Sequence, residues 1–170
     1  HATLQSEEAA RRYIAPLVAD DFAAMPQDGN WPAGMTLLAQ ALYEIGEVGP
    51  AARLYELLLP FAESNVFAGG AASPRGPGHY YLGLLAHTLG QLDTAVDHME
   101  RAVELTRRWG IRPLDARSRL EFAKLLRERQ APGDAERALQ LLNQAMDTAR
   151  EIGSAHLVED ALARKLEAQG

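Results

Sequence analysis

Apolar residues recur along this chain every three or four positions, a spacing that places side chains on one face of an α-helix. The clearest stripe is formed by Leu82, Leu85 and Leu89, and a second stripe follows it a few residues later. Gly90 lies between the two, and a residue without Cβ enters the left-handed conformation that ends many helices at little cost. The pattern therefore predicts a helical hairpin over residues 79–109.

The same periodicity predicts helices along the rest of the chain. We expect Pro16 to kink or divide an N-terminal helix, because proline removes one helical hydrogen bond and crowds the preceding turn. Gly46 and Gly153 are placed to end two later helices. Besides the hairpin, the predicted helices cover residues 4–24, 33–45, 51–63, 114–129, 134–152 and 154–168.

Residues 64–78 break this pattern, because they are rich in glycine and proline. No run in the chain shows clean alternation of apolar and polar residues, so we expect no strands and interpret this stretch as the longest loop. Val66 and Phe67 are apolar residues within it. They leave two roles open, a plug that folds back into a groove and a flap that contacts a ligand.

Small and large residues recur at matching places in three successive helix pairs. Ala51, Ala95 and Ala138 stand 44 and then 43 residues apart, each in the second helix of its pair. Small residues at fixed places let two helix backbones approach, while larger residues fill the remaining groove. We therefore predict an all-α superhelix, in one domain over residues 1–170. Its parts would be an extra N-terminal helix, hairpins at 33–63, 79–109 and 114–152, and a capping helix at 154–168.

The second of these hairpins resembles a tetratricopeptide repeat. The residues that carry the resemblance are Leu82, Gly83, Ala86, Gly90, Ala95, Met99 and Ala102. The family's usual period is about 34 residues, so the longer period here requires longer helices or loops. The resemblance implies an α-solenoid whose inner, concave surface is lined by the first helix of each pair.

A narrower resemblance covers nearly the whole chain. It rests on Asp20-Asp21-Phe22, Asn30-Trp31, residues 54–60, Asn65-Val66, residues 81–86 and Gly133-Asp134 with Ala138-Leu139. These segments are similar to the C-terminal repeat region of large bacterial signalling regulators of the actinobacterial type. Those proteins join a LuxR-type DNA-binding module or a nucleotide-cyclase module to an NTPase core of the STAND or AAA kind. The resemblance implies a cytoplasmic sensor or scaffold region without catalytic residues.

Composition and charge narrow the function classes further. Aromatic residues make up only 6% of the chain, and much of the apolar fraction is alanine and leucine, the strongest helix formers. The net charge of −6 argues against a dedicated nucleic-acid surface. No apolar run approaches the roughly 20 residues that a membrane span needs, and the absence of cysteine excludes disulfides. Because the sequence begins with His1 rather than Met, we expect a piece excised from a longer protein.

Catalytic and metal-binding constellations are weak in this sequence. The histidines after His1 are His79, His87, His98 and His156, and they show no compact metal-ligand spacing. The glycine-rich stretch at 69–78 lacks the Gly-Lys-Ser/Thr ending of a phosphate-binding loop. We therefore expect no enzyme, no metal and no cofactor.

The inner face of the predicted array is the candidate binding site, carried over by position from tetratricopeptide repeats. In each first helix, three residues at the spacing i, i+4, i+7 share one face. These residues are Thr36, Gln40, Tyr43, Tyr80, Leu84, His87, Leu120, Lys124 and Arg127, with Arg117 and Glu121 bordering the last set. An aromatic centre and a basic end favour a peptide carboxylate or a small anionic ligand. The alternative is that all of them are ordinary exposed or half-buried helix positions.

Three functional hypotheses follow from this sequence. The first is a module that senses a ligand, or binds a protein or peptide partner, on behalf of an attached output domain. The second is a structural scaffold that self-associates, with residues 154–168 as a dimer contact and Arg164 and Lys165 at its rim. The third is a small enzyme, for which the sequence offers no constellation.

Overall fold

The fold is mostly helical. The computed structural model describes the backbone of residues 2–69 and 73–169 and the side chains of residues 8–69 and 73–168. The α-helices of this described part are α1 (Ala2–Val18), α2 (Trp31–Ile45), α3 (Ala51–Leu58), α4 (Gly78–Thr88), α5 (Leu92–Trp109), α6 (Arg112–Arg129), α7 (Asp134–Glu151) and α8 (Ala155–Gln169). Two antiparallel strands, β1 (Asn65–Ala68) and β2 (Ser73–Pro77), form one small sheet. The predicted all-α class is confirmed at this coarse level.

The chain divides into two compact units, of which unit 1 ends at Gln91 and unit 2 begins at Leu92. In unit 1, α2 packs against α1, α3, α4 and β1. In unit 2, each of the helices α5 to α8 packs against the next one in sequence, and α6 also contacts α8. The boundary lies in the turn between α4 and α5, so the two helices of the predicted hairpin are described separately. The single domain over residues 1–170 stays a prediction.

The recurring positions of the sequence form much of the core of each unit. In unit 1 the buried ones are Leu38, Ala39, Leu42, Ala51, Leu58, Leu82 and Ala86. In unit 2 they are Ala95, Met99, Ala102, Phe122, Ala123, Leu126, Ala138, Leu142 and Ala145. Burial of a leucine, methionine or phenylalanine side chain contributes about 1.5–3 kcal/mol, so this set supplies a large part of the driving force for folding.

The ends of several helices agree with the sequence. Gly46 follows α2 with a φ of 64°, and its N–H bonds to the Leu42 and Tyr43 carbonyls. Gly90 has a φ of 73° in the turn after α4, as expected for a residue that ends a helix. Each of the helices α5 to α8 begins or ends within two residues of its predicted boundary.

The N-terminal helix is shorter than predicted. It continues past Pro16 without being divided, but it ends at Val18 rather than near residue 24. The reason is a left-handed turn, with φ values of 48° at Asp20, 57° at Asp21 and 65° at Phe22. This turn buries Phe22 and directs the Asp21 carboxylate to Arg53, whose Nε and Nη2 donate hydrogen bonds of 2.6 and 2.8 Å.

The stretch around residues 59–78 also differs from the prediction. The α-helical conformation ends at Leu58, and a short 3₁₀ helix, Leu59–Phe61, follows around Pro60, which has no N–H to continue the α-helical ladder. The expected loop at 64–78 contains the β1–β2 hairpin, so the prediction of no strands is wrong. Val66 is buried in this hairpin, whereas Phe67 remains 40% exposed.

Within residues 2–69 and 73–169, none of the helices combines the length and the apolar character that a membrane crossing requires.

Candidate functional site

A cavity of about 430 Å³ lies between α6 and α8 in unit 2. Its charged lining consists of three cations, Lys124, Arg127 and Arg164, and three carboxylates, Glu128, Asp160 and Glu167. Ala123, Leu142 and Ala163 complete the wall. The site is therefore rich in charge but balanced in sign.

Helical spacing explains why these side chains meet. On α6, Lys124 and Arg127 stand three residues apart, and on α8 the charged positions 160, 164 and 167 follow the spacing i, i+4, i+7. Each helix thus presents one charged face. The small side chains of Ala123 and Ala163 leave the space that the cavity occupies.

Arg164 joins the two helices firmly. Its guanidinium donates to Asp160 Oδ1 and Glu121 Oε1, both at 2.7 Å, and to the Leu120 carbonyl at 3.0 Å. Burial lowers the pKa of Arg164, but Glu121 and Asp160 outweigh it and raise that pKa above its ordinary value. The charged Arg164 side chain therefore stabilises the packing of α8 against α6.

Lys124 and Arg127 are held more loosely than Arg164. The Lys124 ammonium lies 4.0 Å from Glu128, and the Arg127 guanidinium lies 3.5 Å from the Glu167 carboxylate. Arg127 also donates a 2.7 Å hydrogen bond to the Glu167 main-chain carbonyl, which fixes the direction of its side chain. Ion pairs as open to solvent as these contribute about 0–1 kcal/mol each, so a competing anion displaces their carboxylates at small cost.

The remaining predicted residues of unit 2 do not line the cavity. Glu121 accepts the hydrogen bond from Arg164, and Leu120 is buried. Arg117 is half-buried on α6. Of this predicted set, Lys124 and Arg127 are the two that the structure brings together at the cavity.

The residues that α8 contributes to the cavity were not predicted from the sequence as binding residues. Asp160, Arg164 and Glu167 belong to a helix interpreted only as a cap or a dimer contact. The sequence does contain a pattern that could have identified them, because these charged residues have the same i, i+4, i+7 spacing that was used to select Lys124 and Arg127 on α6. What the sequence does not show is that the two stripes face each other.

Three of the residues predicted in unit 1 lie in its core. Thr36 is fully buried, where its hydroxyl donates to the Ala33 carbonyl and accepts from Arg75 Nε. Tyr80 and Leu84 are only 5% and 2% exposed. The expectation that these three offer an accessible surface is wrong, because the buried sides of α2 and α4 are wider than one helical stripe.

The other three residues of unit 1 are half-buried. Gln40 donates to Glu44 at 2.8 Å, and the Tyr43 and His87 rings lie with their centroids 5.3 Å apart. This aromatic pair joins α2 to α4. Because the predicted residues divide between two units, one groove that unites them stays a prediction.

Among the described residues, no three histidine, aspartate or glutamate side chains lie close enough together to hold a metal ion.

Comparison of the chain with protein-family models, with curated proteins and with solved structures found no match.

Proposed function

We propose that this chain is a non-catalytic binding module that holds a carboxylate, of a peptide or of a small organic anion, in the α6–α8 cavity. The observation that carries the proposal is the joint presence of Lys124 and Arg127 on the wall of one cavity. Both are cations with hydrogen-bond donors, and each forms an ion pair with a neighbouring carboxylate that is open to solvent.

Binding in this proposal is an exchange of ion pairs. The ligand carboxylate takes the place of the Glu167 carboxylate at Arg127 and of Glu128 at Lys124. Arg127 keeps its bond to the Glu167 carbonyl, so its guanidinium is already oriented before the ligand arrives. A guanidinium binds a carboxylate through two parallel hydrogen bonds, which gives this contact its geometric selectivity.

The fold that we propose around this site is an array of tetratricopeptide-like hairpins. The burial of the recurring small and large positions supports it, as does the sequential packing of the helices in unit 2. In such an array α6 and α8 are first-helix positions of consecutive repeats. The cavity between them then belongs to the inner surface, where repeat arrays bind their partners.

The biological setting that we propose is a larger cytoplasmic bacterial regulator of signalling or transcription, in which this region senses a ligand or partner. A ligand that binds one conformation better than another shifts the population towards it, and an attached output domain responds to that shift.

A thermal-shift screen tests this proposal. The panel consists of short peptides with free C-terminal carboxylates, the same peptides with amidated C-termini, and simple carboxylic acids. A ligand present at about 100 times its Kd stabilises the folded state by about 2.7 kcal/mol, which raises the Tm by several degrees. We expect shifts from free acids and none from the matched amides. Equal shifts from acids and amides, or none from either, would reject carboxylate binding.

Self-association is a second candidate function, and one observation favours it. Leu162 and Leu166 of α8 are 42% and 71% exposed, and they stand four residues apart on the same helix face. Two exposed leucines at this spacing are suited to pack against a second copy of the helix.

A further inference from the structure

Unit 1 carries two adjoining apolar hollows at the beginning of α2. The first, of about 370 Å³, is lined by residues of the 29–32 segment, by Phe61 and by residues 64–67. The second, of about 490 Å³, is lined by Trp31, Leu57 and Phe61 together with residues 27–29 and Pro32. They share Gly29, Pro32 and Phe61, so they form one continuous surface.

One edge of strand β1 borders the first hollow. Side chains of consecutive strand residues point to opposite faces, so a cavity lined by four consecutive residues, 64–67, lies along the edge of the strand rather than against one face. No residue of β2 lines this hollow. The edge in question is therefore the one that β2 leaves unpaired.

The register of the hairpin identifies the main-chain groups at this edge. The Ser64 carbonyl accepts a hydrogen bond from the Gly78 N–H, which places position 64 towards β2. Positions along a strand alternate, so the N–H and C=O groups of Asn65 point away from β2. The register shifts between Val66 and Phe67 because β2 contains one extra residue, Arg75, so the alternation along β1 continues and the main-chain groups of Phe67 also point away from β2. Their partners in the register are Pro77 and Pro74, and proline has no N–H to exchange at either position.

Asn30 already makes one strand-like contact at this edge. Its side-chain oxygen Oδ1 accepts a 3.2 Å hydrogen bond from the N–H of Gly69. Gly69 follows Phe67 by two residues, just as Phe67 follows Asn65. A side-chain amide thus takes the place of a neighbouring strand's carbonyl at one end of β1. In addition, Asn65 Oδ1 is buried without a hydrogen-bond donor among the described residues.

We propose that this edge binds an extended segment of a partner polypeptide, which adds to β1 as a third strand. The main chain of the segment pairs with the outward groups of Asn65 and Phe67, in line with the Asn30 contact at Gly69. Its alternate side chains enter the apolar hollow beside Trp31, Leu57 and Phe61. Main-chain hydrogen bonds provide the affinity in this mode of recognition, and the pockets for alternate side chains provide the specificity.

The lining defines the chemistry of the partner. Asp28 is the one charged side chain among the residues that line the two hollows, and the wall contains no lysine, arginine or histidine. A segment with acidic residues finds no counter-charge there, whereas an uncharged segment with apolar residues at alternate positions fits. This site is in unit 1 and is independent of the carboxylate site in unit 2.

A titration with defined peptides tests the proposal on the full chain. The probe is an acetylated and amidated hexapeptide in which threonine alternates with valine and phenylalanine. Two analogues carry N-methyl groups, one on the threonine amides and the other on the apolar residues' amides. Alternate amides of an extended strand face opposite edges, so N-methylation of only one set removes the bonds to β1.

We expect the hexapeptide to bind with a Kd below about 1 mM, shifting the amide NMR signals of Asn65 and Phe67. One analogue should bind like the parent peptide, and the other about 10-fold or more weakly. Leu57→Ala should weaken binding about 3-fold or more, whereas Leu59→Ala, which changes an exposed leucine outside both hollows, should not.

Three results would each overturn the proposal. The first is equal binding by both N-methylated analogues, because it excludes pairing along one edge. The second is the absence of peptide-dependent shifts at Asn65 and Phe67. The third is a change of these signals with protein concentration alone, since a second copy of the chain would then be the occupant.

Discussion

At the scale of single residues, the charges of unit 2 differ in how firmly the fold holds them. Asp134, at the first position of α7, is buried and accepts hydrogen bonds from Arg129 at 2.7 and 2.9 Å and from the Ala131 N–H at 2.8 Å. These contacts, the Arg129 hydrogen bond above all, lower the pKa of the Asp134 carboxyl. Lys124 and Arg127, in contrast, are paired through open contacts. Firmly held charges stabilise the fold, and the more loosely held ones are those that we propose to contact the ligand.

Asp134→Asn should destabilise the protein by about 1–3 kcal/mol at pH 7, because it weakens a buried, charge-assisted network. A carboxyl whose pKa is lowered by folding stabilises the folded state fully above its unfolded pKa of about 4, and this contribution is lost as the pH falls through the folded pKa. The difference between wild type and variant in the free energy of unfolding should therefore shrink between pH 7 and pH 3. Urea unfolding at the two pH values measures it.

Asp93→Asn is the matched control for this change, because Asp93 also contacts Arg129 but has a side chain that is 90% exposed. Its effect should stay within about 0.5 kcal/mol. An equal loss of unfolding free energy in both variants would contradict the assignment of Asp134 as a buried, charged partner of Arg129. So would a difference between wild type and Asp134→Asn that does not depend on pH. The sequence places Asp134 at a helix start, but its pairing with Arg129, five residues earlier, follows only from the fold of the turn between α6 and α7.

At the scale of elements, local rules predict most helices and fail where packing overrides them. Gly46 and Gly90 end helices because the backbone there is left-handed. Glycine adopts this conformation at little cost, so its presence in the sequence predicts the helix end. The β1–β2 hairpin was missed because β2 consists largely of proline, glycine and serine, which statistics associate with loops. Its strands are specified by burial of Val66 and by the Tyr81 hydroxyl, which donates to the Arg75 carbonyl at 2.9 Å.

Gly78 is a position between two elements that has no room for a side chain. It begins α4 directly against the short 3₁₀ helix, and a Cβ at this position would lie 2.6 Å from the Phe61 carbonyl carbon and 2.9 Å from Ala62 Cα. Backbone atoms cannot rotate away, so Gly78→Ala should cost about 2–3 kcal/mol of the free energy of unfolding.

Gly49→Ala provides the control for Gly78→Ala in the same urea or thermal unfolding experiment. A Cβ at Gly49 meets only ordinary contact, 3.8 Å from Glu47 Oε1, and we expect a change within about 0.5 kcal/mol. A Gly78→Ala protein as stable as the wild type would show that the 3₁₀ helix and α4 do not meet as described.

At the scale of the whole molecule, the sequence predicts the helical class and the core better than the site. The recurrence of Ala51, Ala95 and Ala138 marks buried positions, because close helix packing repeats a small residue wherever two backbones approach. The proposed binding surface was predicted less well, since four of the nine residues that line the cavity come from α8. A helix face that meets another helix across the fold leaves only a charged stripe in the sequence, and such a stripe is equally typical of a solvated surface.

Self-association through α8 is also a whole-molecule property. If Leu162 and Leu166 pack against a second copy, sedimentation should show a dimer that forms at about 10–100 μM and disappears in the Leu162→Ser, Leu166→Ser double variant. Leu37→Ser, at another exposed leucine, should leave the dimer unchanged. A wild-type chain that remains monomeric at all concentrations would remove self-association as a function.

Calorimetric titration of the carboxylate identified by the thermal-shift screen tests the central claim most directly. The Lys124→Gln, Arg127→Gln variant is compared with wild type and with Arg12→Gln, Arg108→Gln, which removes the same charge at exposed positions elsewhere. We predict that the first variant binds more than about 10-fold more weakly than wild type and that the control binds like wild type, because charge-assisted hydrogen bonds contribute about 1.5–3 kcal/mol each. Binding by the Lys124→Gln, Arg127→Gln variant that is as tight as that of the wild type would contradict the assignment of the α6–α8 cavity as the carboxylate site.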